Sequence, residues 1–399
     1  MFRAKYKRIK NNIMRKQINF NNLSTFLLII SLTVFSQLAA QTPTVTKPKP
    51  FIDFPDIPGY KTLKCDFHQH TVFSDGEVWP TIRVKEAIRD GLDAISITDH
   101  LEVQPNKSDI PHTDRNRGYQ IATKEIKGRD ILVINGAEIT RDMPPGHINA
   151  IFIKDANKLL LADPIEVYRE AKRQGAFIFW NHPSWIAQQP DGVATLTNMH
   201  KELLKEGLIN GIEVVNAGEY SDEAFQMAID YNLTIMGNSD IHGLIDWEYN
   251  PSEGKHRPIT LVFAKEKSET AIKEGLENRR TAVWFDNTLI GSAEYLIPLI
   301  QTSLVVKRTE ILQSYKGKSL VQEVYIENNS DADYILENKS DFLLHNNTDI
   351  LTLKAHALTP IQVKTLELLP SFNLRFNVLN AFVAPHKHPE IMLKINGAK

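Results

Sequence analysis

From residue 61 to about 264, short apolar runs alternate with segments of helical period. The predicted strands are LKCDFH (63–68), DAISIT (93–98), DILVINGAEI (130–139), HINAIFI (147–153), AFIFW (176–180), GIEVV (211–215), LTIMGN (233–238) and ITLVFA (259–264). Helices between them carry their own punctuation. Pro80 opens one that stops at Gly91. Asp163 caps another, with Pro164 in its first turn and Gly175 at its close; Ser221 opens a third that ends near Asn232. Strands alternating with helices predict the α/β class, a largely parallel sheet or barrel with helices outside.

Beyond about residue 291 the texture changes. A short helix over roughly 292–301 precedes SLVQEVYIENN, YILEN, DILTLKA, TPIQVKTLEL, FNLRFNVL and EIMLKI. These runs are short, β-branched and separated by Asn, Asp, Ser and Pro, the pattern of a small antiparallel sandwich. The expected organisation is a barrel over 61–291 and an all-β sandwich over 292–399, with no internal repeat.

Ahead of the barrel, residues 41–60 hold Pro43, Pro48, Pro50, Pro55 and Pro58, a density suited to an extended linker. Before it, a basic start runs into FLLIISLTVFSQLAA (26–40). A positive region, an apolar region and a small-residue end describe an export signal over residues 1–40, cleaved after Ala40. The apolar stretch is shorter than the roughly 20 residues of a spanning helix; an uncleaved anchor is the competing reading. No Cys follows it, which argues against a lipid anchor, and the single cysteine, Cys65, cannot form an internal disulfide. The expected protein is exported, periplasmic or secreted, without stable membrane insertion once the signal is removed.

Composition changes the picture in one respect. The 399 residues are 42% hydrophobic and 24% charged, which excludes collagen-like, mucin-like and wholly disordered chains. Of 46 Lys and Arg, seven fall in residues 1–40 (Arg3, Lys5, Lys7, Arg8, Lys10, Arg15 and Lys16), where there is no acid, so the remainder carries 39 against 48 acids. A mature chain that acidic is ill suited to coat nucleic acid or an anionic membrane.

The chemistry concentrates at strand ends. The first strand ends in Asp66-Phe67-His68-Gln69-His70, and residues two apart in a strand face the same side, so His68 and His70 can converge on one ion. Asp75 sits on the turn beyond, where Gly76 lets the backbone bend. The next strand ends in Thr98-Asp99-His100. The third carries Glu138 after the apolar ILVINGA, where a lone carboxylate is expensive unless it is paired or metal-bound. His147 begins the following strand, Asn181-His182-Pro183 closes AFIFW, and Asn238-Ser239-Asp240-Ile241-His242 closes LTIMGN. One such histidine is ordinarily structural. Six His, two Asp and one Glu gathered mostly at the C-terminal ends of strands, where α/β barrels build their active sites, point to a multinuclear metal site.

In this order, HQH, Asp75, TDH, GAEI, the lone His147, NHP and SDIH resemble the polymerase-and-histidinol-phosphatase (PHP) superfamily. The resemblance covers roughly residues 61–264 and fills all nine usual ligand positions. It implies a distorted (β/α)₇ barrel, three divalent transition-metal ions (Mn, Zn or Fe) and phosphoester hydrolysis. Carried over by motif, one ion takes His68, His70, Glu138 and Asp240. A second takes Glu138 as a bridge with His147 and His182. The third takes Asp75, His100 and His242. Three divalent ions against three carboxylates leave positive charge for an anionic substrate and a bound hydroxide that attacks phosphorus in line.

Around this core, Arg141 and Arg117 are candidates to grip phosphate oxygens, or else surface salt-bridge arginines. Asp99 is expected to orient a liganding histidine or cap its strand. Trp185 either walls the leaving-group pocket or packs. His112, His200 and His256 fit no ligand position, and His345, His356, His386 and His388 read as surface residues. The leading function is an exported phosphodiesterase acting on a small phosphoester. The alternatives are a phosphomonoesterase, of the histidinol-phosphatase type or scavenging, and a non-catalytic binding protein; a nuclease ranks last. Export argues against the histidinol-phosphatase role, and oligomeric state is not specified. A tight basic pocket would favour monoesters, and an open apolar one diesters.

Overall fold

In the computed structural model, β1 (Lys61–Asp66) pairs in parallel with β2 (Ala94–Ile97), and β2 with β3 (Leu132–Ile139). The structure describes residues 52–398 apart from 316–318 and 347, so the export signal and the start of the linker lie outside the described residues. Two helices join these strands: α1 (Pro80–Arg89) and α2 (Arg117–Glu125). Then β4 (Ile148–Ile151) runs antiparallel to both β3 and β5 (Phe177–Trp180). The expectation of a largely parallel sheet is corrected here. No helix fits between Ile139 and Ile148, and a short turn through Pro144-Pro145-Gly146 can only send the chain straight back.

Helix α3 (Pro164–Gln174) has the predicted bounds. The Asp163 carboxylate accepts from the amides of Ile165 and Glu166, and Gly175 takes the left-handed φ of 85° that ends the helix. Helix α4 (Asn198–Lys205) leads into β6 (Gly211–Asn216), which makes a tight hairpin with β7 (Glu219–Tyr220). Ser221 caps α5 (Asp222–Asp230), and β8 (Thr234–Asn238) returns parallel to β6. After the short α6 (Ile245–Tyr249), β9 (Ile259–Ala264) pairs antiparallel with β1. Helix α7 (Glu269–Glu277) and the hairpin of β10 (Thr281–Phe285) and β11 (Thr288–Gly291) extend that antiparallel edge. Side chains join β8 to this edge. The Thr260 hydroxyl donates to the Gly237 carbonyl (2.9 Å) and accepts from its amide (3.0 Å), and the Thr281 hydroxyl donates to the Ile235 carbonyl (2.8 Å). The result is an α/β barrel-like sheet followed by an all-β region.

Helix α8 (Ala293–Ser303) enters the C-terminal region. One sheet there runs in the order β12 (Leu304–Tyr315), β13 (Ser319–Asn328), β17 (Leu358–Lys364), β15 (Leu343–Leu344). The other runs β16 (Ile350–Leu353), β14 (Tyr334–Asn338), β18 (Ser371–Val378), β20 (Glu390–Asn396). Burial alternates strictly along β20, as it must when one face meets a facing sheet. One strand departs: β19 (Ala381–Phe382) pairs with β11 and adds itself to the barrel sheet. The apolar core is continuous from Val84 and Ile95 on the barrel side to Phe376 and Ile395 on the sandwich side. The described part of the predicted linker also belongs to that core. Ile52, Phe54 and Ile57 are buried, and Phe54 meets Trp284 edge-on at 5.1 Å, so this stretch is anchored to the core by alternate side chains.

Candidate metal centre

The nine predicted ligands gather at one end of the barrel. His68 and His70 follow β1, His100 follows β2, Glu138 lies near the end of β3, His182 follows β5, and Asp240 and His242 follow β8. His147 precedes β4, but that strand is antiparallel, so its first residue faces the same end. Gly76 brings Asp75 back to the site: a Cβ there would stand 2.6 Å from the His70 carbonyl carbon. His182 (φ 28°) and Asp240 (φ 50°) occupy left-handed backbone that L-residues seldom adopt. Their amides are pinned by Glu213 Oε2 (2.8 Å) and the His68 carbonyl (2.9 Å).

Three overlapping groups result. Around Asp240 Oδ1 lie His68 Nε2 (3.1 Å) and His70 Nε2 (2.9 Å), with Glu138 Oε2 at 3.6 and 3.4 Å from the two rings. Around Glu138 Oε1 lie His147 Nδ1 (3.0 Å) and His182 Nε2 (3.5 Å). Around Asp75 lie His100 Nε2 (3.2 Å), His242 Nε2 (3.3 Å) and His70 Nδ1 (3.5 Å). Glu138 also reaches His100 Nδ1 at 2.8 Å, which makes it the common member. Three sets have donor atoms close enough to share one ion: His68, His70 and Asp240; His100, Glu138 and His147; and His70, Asp75, His100 and His242. These differ from the motif-based partition in placing His100 beside His147 and in leaving out His182, which reaches the cluster only through Glu138 Oε1.

Whether a cation suits these residues can be tested on their polar atoms. Asp75 Oδ1, Glu138 Oε2, His147 Nδ1 and Asp240 Oδ1 are buried without a hydrogen-bond partner among the described residues. Orphaned buried donors and acceptors are costly, and a shared cation removes the cost. Burial opposes ionisation of Asp75, Glu138 and Asp240, yet the surrounding imidazoles win and hold all three carboxyls well below their ordinary range. The rings respond unequally. Burial also works against a charged His100, but Glu138 and Asp75 raise it to about 10. Burial and the neighbouring His100 charge instead push His70 down to about 3. Ionised carboxylates and imidazole lone pairs at this spacing fit divalent metal ions, and loading them displaces protons from the raised rings.

Several supporting residues were not foreseen from the sequence. Glu213, fully buried in β6, accepts from His68 Nδ1 (2.9 Å), Asn238 Nδ2 (2.9 Å) and Asn216 Nδ2 (2.8 Å) besides the His182 amide. It fixes the His68 tautomer so that Nε2 faces the cluster. The signal was available: GIEVV places a carboxylate in an apolar run, the same anomaly that singled out Glu138. Asn181 Nδ2 donates to Glu138 Oε1 (2.9 Å). Arg83, on α1 and fully buried, donates to the carbonyls of His70, Ile241, His242 and Gly243, tying two ligand loops together. Below them, Arg257 pairs with Asp66 (3.2 Å) and Asp90 (2.6 Å). Nothing in the local sequence marks these arginines.

Three other expectations are corrected. Asp99 makes no direct hydrogen bond or ion pair with a histidine among the described residues: its carboxylate accepts from the Thr71 amide (2.7 Å) and the Thr71 and Ser74 hydroxyls, and it reaches His70 Nδ1 only through Ser74 Oγ (3.4 Å). Arg117 opens α2 on the surface, outside the cleft. Arg141 is committed elsewhere, to Glu102 Oε1 (3.1 Å) and the Leu161 carbonyl (2.7 Å). Trp185 does stand at the site, its ring 5.1 Å from His182 and 5.5 Å from His147. The remaining histidines stay out of the metal-binding groups among the described residues. His200, for example, stacks on Trp180 and bonds the Pro145 carbonyl (2.7 Å), steadying the turn before His147.

The cleft over these ligands encloses about 640 Å³. Its other walls are Trp185, the Asn216–Glu219 hairpin and Glu248, and no Lys or Arg lines it among the described residues.

Comparison with known proteins gives matches at both ends of the chain. Residues 66–242 match the model of the PHP domain, and residues 309–394 that of an Ig-like domain. An uncharacterised protein of Methanocaldococcus jannaschii is 32% identical over 208 residues, which are 50% of this chain and 91% of that protein. Among solved structures, a two-domain protein from Bacteroides vulgatus containing a predicted PHP-like metal-dependent phosphoesterase is 43% identical. It superposes with a TM-score of 0.79 over 86% of this chain and 98% of its own.

Proposed function

Because the chain belongs to the PHP family, we propose that it is an exported, metal-dependent phosphodiesterase that binds three divalent ions of Mn, Zn or Fe. One observation carries the reading: eight side chains form three groups able to share an ion, His182 stands beside them, and the cleft above has no cationic side chain among its described lining residues. Divalent ions held there supply Lewis acidity toward a phosphoryl oxygen and lower the pKa of a coordinated water. Asp240, with His68 and His70, holds the first position; Glu138, with His147 and His182, the second; and Asp75, with His100 and His242, the third. Glu213, Asn181 and the Thr140 hydroxyl, 2.6 Å from His100 Nδ1, keep those side chains aimed. The imidazole-rich donor set suits these metals better than Ca²⁺, which prefers oxygen ligands.

The diester preference rests on charge. A phosphomonoester dianion gains from a bidentate arginine, but Arg117 and Arg141 are both outside the cleft, and Glu219 and Glu248 stand at its walls. A diester carries one charge fewer and suits that lining better. Trp185, beside His147 and His182, offers an apolar face to an ester substituent. Export is supported by the basic and apolar start of the chain alone.

The test compares bis(p-nitrophenyl) phosphate with p-nitrophenyl phosphate on protein reconstituted with Mn²⁺, Zn²⁺ or Fe²⁺. The expected kcat/KM favours the diester by at least about tenfold, a difference of roughly 1.4 kcal/mol. Turnover of the monoester alone would replace the reading with a phosphatase.

A further inference from the structure

Beside the metal cleft lies a second cavity of about 620 Å³, and Gly218 and Glu248 line both. Its far wall comes from two parts of the chain. The barrel supplies the β10–β11 turn with Asp286, and the sandwich supplies Asp331 and Asp333. That wall is braced: Asn287 Oδ1 accepts from the Asp333 amide (2.8 Å), and Asn380 Nδ2 donates to the carbonyls of Asn287 and Asp333 (2.7 Å each). The sandwich also steadies the hairpin that separates the cavities. Phe382 stacks on Tyr220 at 6.4 Å, and His386 Nε2 lies 3.1 Å from Asp222, which accepts from the Tyr220 hydroxyl (2.7 Å).

The lining of this cavity is acidic. Among the described residues that line it, Glu248, Asp286, Asp331 and Asp333 stand with one Lys, Lys255. Asp333 is engaged by Lys354 and Asp331 by His356, but Asp286 and Glu248 make no ion pair among the described residues. His256 adds no charge, since burial pushes it down to about 4. The indole N–H of Trp284, on a lining residue only 4% exposed, has no hydrogen-bond partner. The acidic wall repels a second phosphate and favours a positively charged group, while the indole N–H can take only an acceptor such as an ester oxygen.

We propose that this cavity, built jointly by barrel and sandwich, binds the non-reacting alcohol of the diester, and that the preferred alcohol carries an ammonium group. The inference rests on the phosphodiesterase reading and assigns the sandwich a part in substrate selection.

The test uses p-nitrophenyl phosphorylcholine and its neutral isostere, 3,3-dimethylbutyl p-nitrophenyl phosphate, on the metal-loaded protein, with choline binding measured by calorimetry. The expected kcat/KM ratio favours the choline ester by about five- to tenfold at low salt, as a few partly screened charge pairs allow. It falls towards one in high salt and in Asp286→Asn/Glu248→Gln, whose side chains keep their shape. Equal turnover of the two esters overturns the proposal. If metal is bound and neither ester turns over, the phosphodiesterase reading has failed. Saturable choline binding that the double variant weakens then sustains the subsite, and its absence removes the subsite too.

Discussion

Glu138→Ala is expected to lower kcat/KM by more than about 100-fold and to release metal from more than one position. Losses of 10- to 100-fold follow removal of groups that merely orient a ligand, and Glu138 lies within 3.6 Å of five imidazoles. Its removal takes one carboxylate from the set around Asp240 and the only carboxylate from the set around His147 and His182. The fold itself is expected to persist, because β3 is held by backbone ladders to β2 and β4. Elemental analysis of the variant, with circular dichroism as the folding control, checks the expectation. A folded variant that retains its full metal content would contradict it.

The second large effect is expected at Glu213, which the reading of the sequence passed over. Glu213→Ala leaves His68 Nδ1 without its acceptor and frees the His182 amide from the contact that holds its left-handed backbone. Metal affinity should fall about 10- to 100-fold, the range for a carboxylate that orients a liganding histidine. Glu213→Gln keeps an acceptor oxygen for His68 and should recover part of that loss. Chelator competition separates the two variants, whereas a purely structural role would lower thermal stability without moving metal affinity. Wild-type affinity in Glu213→Ala would remove Glu213 from the account.

The ligands were legible for a physical reason. Most stand where a continuous apolar run meets an abrupt polar residue, as in ILVINGAE or LTIMGNSD, and runs of that length bounded by turn residues read as buried strands whose ends open to one face. Helix α3 was equally clear because Asp163, Pro164 and Gly175 carry their own backbone preferences. What failed depended on partners distant in sequence. Arg141 reads like a phosphate grip until Glu102 and the Leu161 carbonyl claim its guanidinium. Asp99 precedes His100 directly, but successive residues face opposite ways, and its carboxylate turns to Thr71 and Ser74. Glu213 was hidden because GIEVV was read for its apolar run. The reversed direction of β4 could have been seen, since nothing helical fits between it and β3.

The sandwich shows the same division. Its alternating strands were readable one by one, but β19 joins the barrel sheet by pairing with β11, a long-range register that no local pattern specifies. Similarly, prolines described residues 52–60 as a linker, whereas buried Ile52, Phe54 and Ile57 anchor them. Apolar content proved the better guide there.

Elemental analysis of the purified protein after reconstitution with Mn²⁺, Zn²⁺ or Fe²⁺ decides whether the nine candidate ligand side chains form one multinuclear metal site. The three overlapping groups predict about three ions per chain. Fewer than one ion per chain from a folded preparation, with each of these metals offered, would contradict such a site.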